Sequence, residues 1–404
     1  MGLIDFDEAL ARTLRAARRL PTERVPLEDA DGRVLAEDVV APRAIPPFTY
    51  GSMDGYAVDS RDFAGEGPYR FPIVGESRAG REPPEQVPGS VCRSFTGARL
   101  PAGCDAVIMQ ENATREDGHV TFPSAVRPRP GQFVRARGAD LAEGSVALEA
   151  GTRLAPGAIA LLAALDRTHA LVARRPVVAI ASTGDELRHP GEPGGIDTVA
   201  ESNGIAIALF ARRAGAVARI ADFVRDEPEA HTKELAEAAR AADLLVTIGG
   251  ASVGDHDLVR PTLESLGATF DFFGVAMKPG KPTGLGRLGD TRVLCLPGNP
   301  ASATLAFLVF GVPLLLAMQG APQPLGARTR LPVVGSYRRS PGRTELLRAR
   351  LIVADGALAA ELLPNQDSGA ATSFAYADAL VVVPPDATAI ETGARLDVLE
   401  LARR

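Results

Sequence analysis

Between Arg175 and about Gly320 the chain alternates two textures, and no other feature restricts its fold as much. Nearly continuous apolar runs (PVVAIAS, ARIADFV, LLVTIGG, ATFDFFGV and RVLCLPG) read as strands. Between them lie the amphipathic segments SNGIAIALFARRAG, PEAHTKELAEAARAA and LVRPTLESLG, and after them an apolar run from Ala303 to Met318. Strands that are apolar at every position, separated by helices, imply a parallel sheet covered on both faces, a three-layer α/β domain. Ligands of such sheets sit beyond the carboxyl ends of the strands. The polar turns all follow strands: Ser182 to Glu186, Arg225-Asp226, Gly249 to Asp257, Lys278 to Lys281, and Pro297 to Pro300. They are expected to share one edge of one sheet. Neither GxGxxG nor GxxxxGK[ST] occurs, so the dinucleotide fingerprint and the Walker loop are absent.

Lysine usage singles out one of these turns. Of 44 basic residues only Lys233, Lys278 and Lys281 are lysines, and two of the three share a Lys-Pro-Gly-Lys turn. Arginine offers a planar fork and lysine a compact, rotatable point charge, so this turn suits a small, highly charged anion. An ordinary solvated turn is the alternative. Gly249 and Gly250 stand where a strand ends and a helix begins, a place where backbone N–H groups can approach a phosphate. Tight packing explains such a pair equally well. Asp185, Glu186, Asp226, Asp255 and Asp257 fall on the same edge. Carboxylates beside lysines suit a Mg²⁺ that bridges to substrate phosphates, and helix capping is the competing role of each. Glu201-Ser202-Asn203 reads as a cap. His256 has no second histidine at helical spacing and reads as an exposed turn residue.

Composition bounds the remaining possibilities. The chain has 404 residues, 46% apolar and 23% charged, which suits several ordinary globular domains. A net charge of −6 argues against a nucleic-acid surface, so an anionic ligand must be held by local groups. Cys92, Cys104 and Cys295 are odd in number and widely spaced, which fits a reducing cytoplasm better than a disulfide framework. The first twenty residues lack an apolar h-region and do not read as a signal peptide. The Ala303–Met318 run is short for a span and contains Gly311 and Pro313, so a buried helix after Asn299-Pro300 explains it better than a membrane segment.

Elsewhere, Asp5 to Leu20 reads as an amphipathic helix capped by Asp5, with Glu8 at capping-box spacing. A short helix is expected over Leu27 to Leu35 and another over Pro156 to Ala173. From about Tyr69 to Thr152, short alternating runs separated by Gly, Pro and Asp read as a small β domain. After a Pro-rich linker following Gly320, about six short strands read as a second small β domain or barrel.

Runs across almost the whole chain resemble the molybdopterin molybdotransferase family, the bacterial MoeA proteins and the E domain of gephyrin. They are Ser52-Met-Asp-Gly-Tyr-Ala57, Thr96-Gly-Ala98, Arg135-x-Arg-Gly-x-Asp140, Ser182-Thr-Gly-Asp-Glu-Leu187, Gly249-Gly-x-Ser-Val-Gly254 with Asp257, Lys278-Pro-Gly-Lys-Pro282, Leu296-Pro-Gly-Asn-Pro300, Gly342-Arg-x-Glu345 and Gln366-x-Ser-Gly369. The resemblance implies a multidomain α/β plus β chain. Its segments would be 1–45 with 141–174 as an elongated linker and dimerisation domain, 46–140 as a small β domain, 175–322 as the α/β molybdopterin-binding domain, and 323–404 as a C-terminal β-barrel-like domain. It further implies Mg²⁺-dependent insertion of molybdate into adenylylated molybdopterin, with release of AMP, by a cytoplasmic homodimer whose site is shared between subunits. Contact with the adenylyltransferase of the preceding step is implied as well.

Carried over by motif, Asp54, Thr96, Asp140, Glu186, Asp226, Asp257, Lys278 and Lys281 are the catalytic candidates. Arg135, Gly249, Gly250, Ser252, Pro297, Pro300, Arg343 and Ser368 are candidates for substrate binding, and Asp185, Asp226 and Asp257 for the metal. Ile248 stands where the family usually has a hydroxyl, Asp367 where a glycine is common, and Asp378 where an asparagine is common. An adenylyltransferase acting on molybdopterin and a non-catalytic scaffold are the alternative functions.

Overall fold

The computed structural model describes residues 2–225, 227–250 and 258–401. Asp226, Ser252, Asp255, His256 and Asp257 lie outside the described residues. The chain forms two compact units: Met1–Glu37 with Gly151–Pro156 and His169–Arg404, and Asp38–Ala150 with Gly157–Thr168.

The larger unit contains the α/β sheet. Its strands are β1 (Val177–Ser182), β2 (Val217–Ile220), β3 (Leu244–Ile248), β4 (Thr269–Phe273), β5 (Gly284–Leu288) and β6 (Thr291–Leu296), in spatial order β2-β1-β3-β6-β5-β4. The pairs β1–β2, β1–β3 and β3–β6 are parallel, whereas β5 runs antiparallel to both β6 and β4. The sheet is therefore mixed at one edge. The run over Gly284–Leu288 carries two glycines and gives little apolar signal. Helix α2 (Asn203–Arg213) links β1 to β2, α3 (Pro228–Arg240) links β2 to β3, and α4 (Val259–Ser265) precedes β4. From β1 the chain moves outward to β2 and then returns across β1 to β3, so a topological switch point lies between β1 and β3.

Helix α5 (Pro300–Gln319) is long and apolar enough to cross a membrane, yet 89% of its apolar window is buried inside the protein. It is a core helix, packed with α1 (Phe6–Ala16) and α2. A π turn at Phe307–Gly311 widens it just before Pro313. Proline has no N–H, and its ring crowds the carbonyl four residues back, so the helix relaxes there. Helix α1 ends at Ala16, short of Leu20. Asp5 caps it through the N–H groups of Asp7 and Glu8, whereas the Glu8 carboxylate turns to Arg12 and Arg15 instead of closing a capping box.

Two helix expectations fail. Leu27 to Leu35 holds only a 3₁₀ turn at Leu27–Asp29. The expected helix from Pro156 stops at Ala164, and His169–Ala173 is a strand paired antiparallel with Thr22–Pro26. Asp166, with φ +66, turns the chain between them. Tertiary pairing overrides the helical reading of this apolar run.

After α5, strands β7 (Arg328–Val334), β8 (Thr344–Ala354), β9 (Ala357–Leu362), β10 (Ala379–Val383) and β11 (Arg395–Glu400) pair in the ring β8-β9-β7-β11-β10-β8. Closure removes free sheet edges and encloses Val333, Leu347, Ala360, Val381 and Val398. The smaller unit is built on a six-stranded sheet whose aromatic core gathers Tyr56, Phe63, Phe71 and Phe122. In each part the folding follows from apolar burial. The alternating strands bury one face, and the nearly uniform ones bury both.

Candidate active site

In the larger unit the carboxyl ends of β1, β3 and β6 lie side by side, with Ser182 opposite Ile248 and Ile248 opposite Leu296. Cys295 pairs with Gly284, which in turn pairs with Phe273, so the β4–β5 connection lies on this same edge. That connection carries Lys278-Pro-Gly-Lys. The expectation that the β1, β3, β4 and β6 turns share one edge therefore holds, although the lysine turn belongs to the antiparallel part of the sheet.

A cleft of about 720 Å³ opens at this edge. One wall is the lysine turn with Pro297 and Asn299, and the other is Tyr337, Arg343 and the Pro364–Ser368 segment. Of the site residues read from the sequence, Lys278, Lys281, Pro297, Arg343 and Ser368 line this one cleft. Pro300 lines a neighbouring apolar groove with Phe210 and Phe374. The two walls are tied directly: Asn299 Nδ2 donates to Ser368 Oγ (3.2 Å), and the Ala301 N–H donates to the Ser368 carbonyl (3.1 Å).

Lys278 sits between the sheet and the barrel. Met277–Lys278 pairs in parallel with Thr344–Glu345. Its Nζ lies 3.2 Å from Glu345 Oε1 and 3.3 Å from the Tyr337 hydroxyl. Burial pulls the ammonium down, but the Glu345 carboxylate and the Tyr337 oxygen outweigh it and raise its pKa above the usual lysine value. Lys278 is therefore a firm cation at neutral pH, as an oxyanion partner requires.

Motifs alone did not reveal Arg348, which is completely buried beneath the Pro364–Ser368 segment. Its guanidinium donates to the carbonyls of Asn365 (3.3 Å) and Asp367 (2.9 Å). Its peptide N–H donates to Gln366 Oε1, and its carbonyl accepts from Gln366 Nε2. Desolvation lowers its pKa, and its side chain joins the Gln366 and Ser368 contacts in holding the segment. Tyr337 and Gln366 were missed as well. Gln366 lay inside a quoted run, and Tyr337 gave no signal beyond being one of five tyrosines.

At the switch point, Asp185 and Glu186 are exposed on the turn after β1. A side chain on Gly184 would stand 2.4 Å from the Glu186 carboxylate, so glycine lets that carboxylate fold back over the turn. The Gly249 N–H donates to the Leu296 carbonyl and extends the ladder, so the phosphate-donor role read into this residue is not open to its backbone. Both glycines have positive φ, and a side chain at Gly249 would meet the Thr183 carbonyl at 2.7 Å. Packing accounts for Gly249, leaving Gly250 as the donor candidate. Ile248 is buried in the core. Glu201 caps α2 through the Gly204 N–H (2.6 Å), whereas Asn203 donates to the Gly298 carbonyl (2.7 Å) and so stitches two turns of the edge.

Among the described residues no cluster of three or more His, Cys, Asp or Glu could hold a metal ion. Asp185 is the one described member of the expected metal set. With Glu186 it supplies hard oxygen donors, and Mg²⁺ needs only one or two carboxylates, so the donors present suit it chemically.

In the smaller unit the other four candidates group in two pairs. Asp54 Oδ1 accepts from both the backbone N–H and the hydroxyl of Thr96 (each 2.7 Å), which holds its carboxyl below the usual range. Arg135 forms an ion pair with Asp140. The pairs are close in the sheet, because Arg135 lies opposite Tyr50 and Ser52 donates to the Phe133 carbonyl.

Parallel strands with a switch point, a lysine-lined cleft at their carboxyl ends and a closed barrel facing that cleft define a multidomain α/β protein with an appended β domain. Three family descriptions match the chain in order: MoeA N-terminal region (domain I and II) over residues 4–165, probable molybdopterin binding domain over 179–317, and MoeA C-terminal region (domain IV) over 330–401. A molybdopterin molybdenumtransferase of Bacillus subtilis is 32% identical over 98% of this chain and 94% of its own length. One from Haemophilus influenzae is 36% identical over 80% of this chain and 79% of its own. The crystal structure of a molybdopterin biosynthesis MoeA protein from Pyrococcus horikoshii superposes with a TM-score of 0.82 at 30% identity, covering 99% of both chains. The chain belongs to the molybdopterin molybdenumtransferase (MoeA) family.

Proposed function

We propose that this protein is a molybdopterin molybdotransferase that inserts molybdate into adenylylated molybdopterin and releases AMP. The observation that carries the reading is the cleft in which Lys278, Lys281 and Arg343 converge at the carboxyl edge of the sheet. Phosphates and molybdate are compact oxyanions, and the catalytic theme is fixed positive charge rather than a covalent nucleophile. Lys278 and Lys281 hold charge that develops on the phosphate or on molybdate, and Arg343 and Ser368 orient the substrate from the barrel side. Asp185, with Glu186 beside it, would hold Mg²⁺, which when bound supplies charge neutralisation to the substrate phosphates. Asp226, Ser252 and Asp257 keep their sequence-derived roles in this reading, as do Asp54, Thr96, Arg135 and Asp140 in the smaller unit. The cytoplasmic location, the homodimer, the contact with the adenylyltransferase and the four-segment division belong to the same proposal.

The test is purified protein incubated with adenylylated molybdopterin, molybdate and Mg²⁺, with cofactor formation followed by reconstitution of an apo-molybdoenzyme. Lys278→Met and Lys281→Met should each lose about 10²-fold or more, the scale of removing one preorganised charge donor. Efficient adenylation of molybdopterin from ATP would favour the adenylyltransferase alternative instead. Wild-type rates in both lysine variants would sink the assignment.

A further inference from the structure

Behind Lys278 stands a buried ionic arrangement that the proposed reaction does not use. The Glu345 side chain is 4% exposed and that of Arg339 is fully buried. Glu345 Oε1 lies 3.2 Å from Lys278 Nζ and 3.5 Å from Arg339 Nε. Arg339 also donates to the carbonyls of Pro384 (2.5 Å) and Arg343. Its position is thereby set by the barrel and by the residue that carries the Arg343 side chain into the cleft. The second oxygen of Glu345 is buried without a hydrogen bond.

Charge and donor counting give this arrangement a function. A Lys278–Glu345 pair alone would be neutral and would contribute little to anion binding. With Arg339 included, the three ionised groups sum to one positive charge, and the exposed member is Lys278, whose side chain is 45% exposed. An ammonium has three donors. Two face Glu345 and Tyr337, which leaves one for a ligand in the cleft. Charged and titratable neighbours around the group are Glu345 on β8, Tyr337 and Arg339 before it, and Lys281, Arg343 and Asp367 around the cleft.

We propose that Glu345, charge-compensated by Arg339, is the positioning residue of Lys278: the C-terminal barrel fixes the ammonium on the cleft wall without cancelling its charge. The proposal rests on the functional reading above in assigning Lys278 to the reaction. It adds that the barrel contributes to the lysine's orientation and protonation as well as lining the cleft.

The lysine count makes the test direct, because ¹³Cε-lysine labelling of the whole chain gives three side-chain signals. The variant is the double replacement Glu345→Gln with Arg339→Met, which removes the buried pair without leaving either charge alone. In the folded double variant the Lys278 resonance should titrate at lower pH than in the unaltered protein. The alkaline limb of kcat/KM should move down with it, and kcat should fall about 10²-fold, the scale of a small misplacement of a catalytic group. An unmoved Lys278 titration, or an unmoved pH profile with unchanged kcat, overturns the proposal. If the double variant does not fold by circular dichroism, Glu345→Asp replaces it, because it keeps the buried charge while withdrawing it from the Lys278 ammonium. That change should lower the Lys278 titration and shift the same limb, and no movement overturns the proposal. Lys278→Met separates the two levels: wild-type activity there would refute the functional reading, while the anchor would still be judged by the titration.

Discussion

Replacing Gly280 with alanine tests the geometry of the lysine turn. Gly280 adopts φ +103 between Lys278 and Lys281, and its carbonyl accepts from both the N–H (3.1 Å) and the hydroxyl (2.7 Å) of Thr283. A left-handed conformation costs a non-glycine residue about 1–2 kcal/mol. The new Cβ would lie 2.2 Å from the terminal methyl of Met277, a side chain with no exposed surface. Met277 is flexible but enclosed, so its repacking adds about 1–3 kcal/mol, as for other overpacked sites. The combined loss, about 2–5 kcal/mol, is comparable to a domain's whole margin at its lower end and tolerable at its upper end. Gly289→Ala is the control, because its φ is +60 and nothing lies within 4 Å of the added carbon, so only the backbone cost of about 1–2 kcal/mol applies. Urea unfolding of the two variants measures the difference, and molybdate-transfer rates on folded Gly280→Ala protein measure the displacement of the lysines. Equal stability of the two variants, with wild-type turnover in Gly280→Ala, would refute the claim that this turn needs its glycine.

Three further outcomes follow from the structure. Phe310 is fully buried between Phe6 and Phe272, each with its ring centroid 6.0 Å away, so Phe310→Ala should cost about 3–5 kcal/mol in chemical denaturation. Burial pushes the thiols of Cys92 and Cys104 up to about 11 and about 12, so a thiol reagent at pH 8 should leave both unmodified until denaturant is added. The Asp54 carboxyl is held below its ordinary value of 3.8 by Thr96, so the stability it contributes is complete above that value and lost as pH falls through the lowered one. The stability difference between the protein and Asp54→Asn should therefore stay constant from pH 7 to about 5 and shrink in stronger acid.

Much of this molecule was legible in its sequence because periodicity and turn chemistry are local. Apolar runs announced β1, β3 and β6, and Asp5 announced the start of α1. Two of the three lysines, Lys278 and Lys281, point to the cleft wall from the sequence alone. The Ala303–Met318 run reads as buried because a glycine and a proline interrupt it; the length argument fails, since the helix extends over Pro300–Gln319 and is long enough for a span. Failures came where pairing partners are distant or chemically plain. His169–Ala173 looks helical in isolation and becomes a strand because Thr22–Pro26 lies beside it. Gly284–Leu288 has too many glycines to read as a strand and runs against both of its neighbours, one strand in from the edge of the sheet.

The sequence by itself determined that two of three lysines share a turn that follows a strand, because residue type and local spacing suffice for that. Only the tertiary structure decided what stands across from those lysines. Lys278 and Glu345 are far apart in the chain, and they meet because Met277–Lys278 pairs with the start of β8 and the barrel closes behind them. Arg348 carries no legible role until the segment it supports is seen folded over it. Long-range electrostatic partners are chosen by packing, and packing is a property of the whole chain.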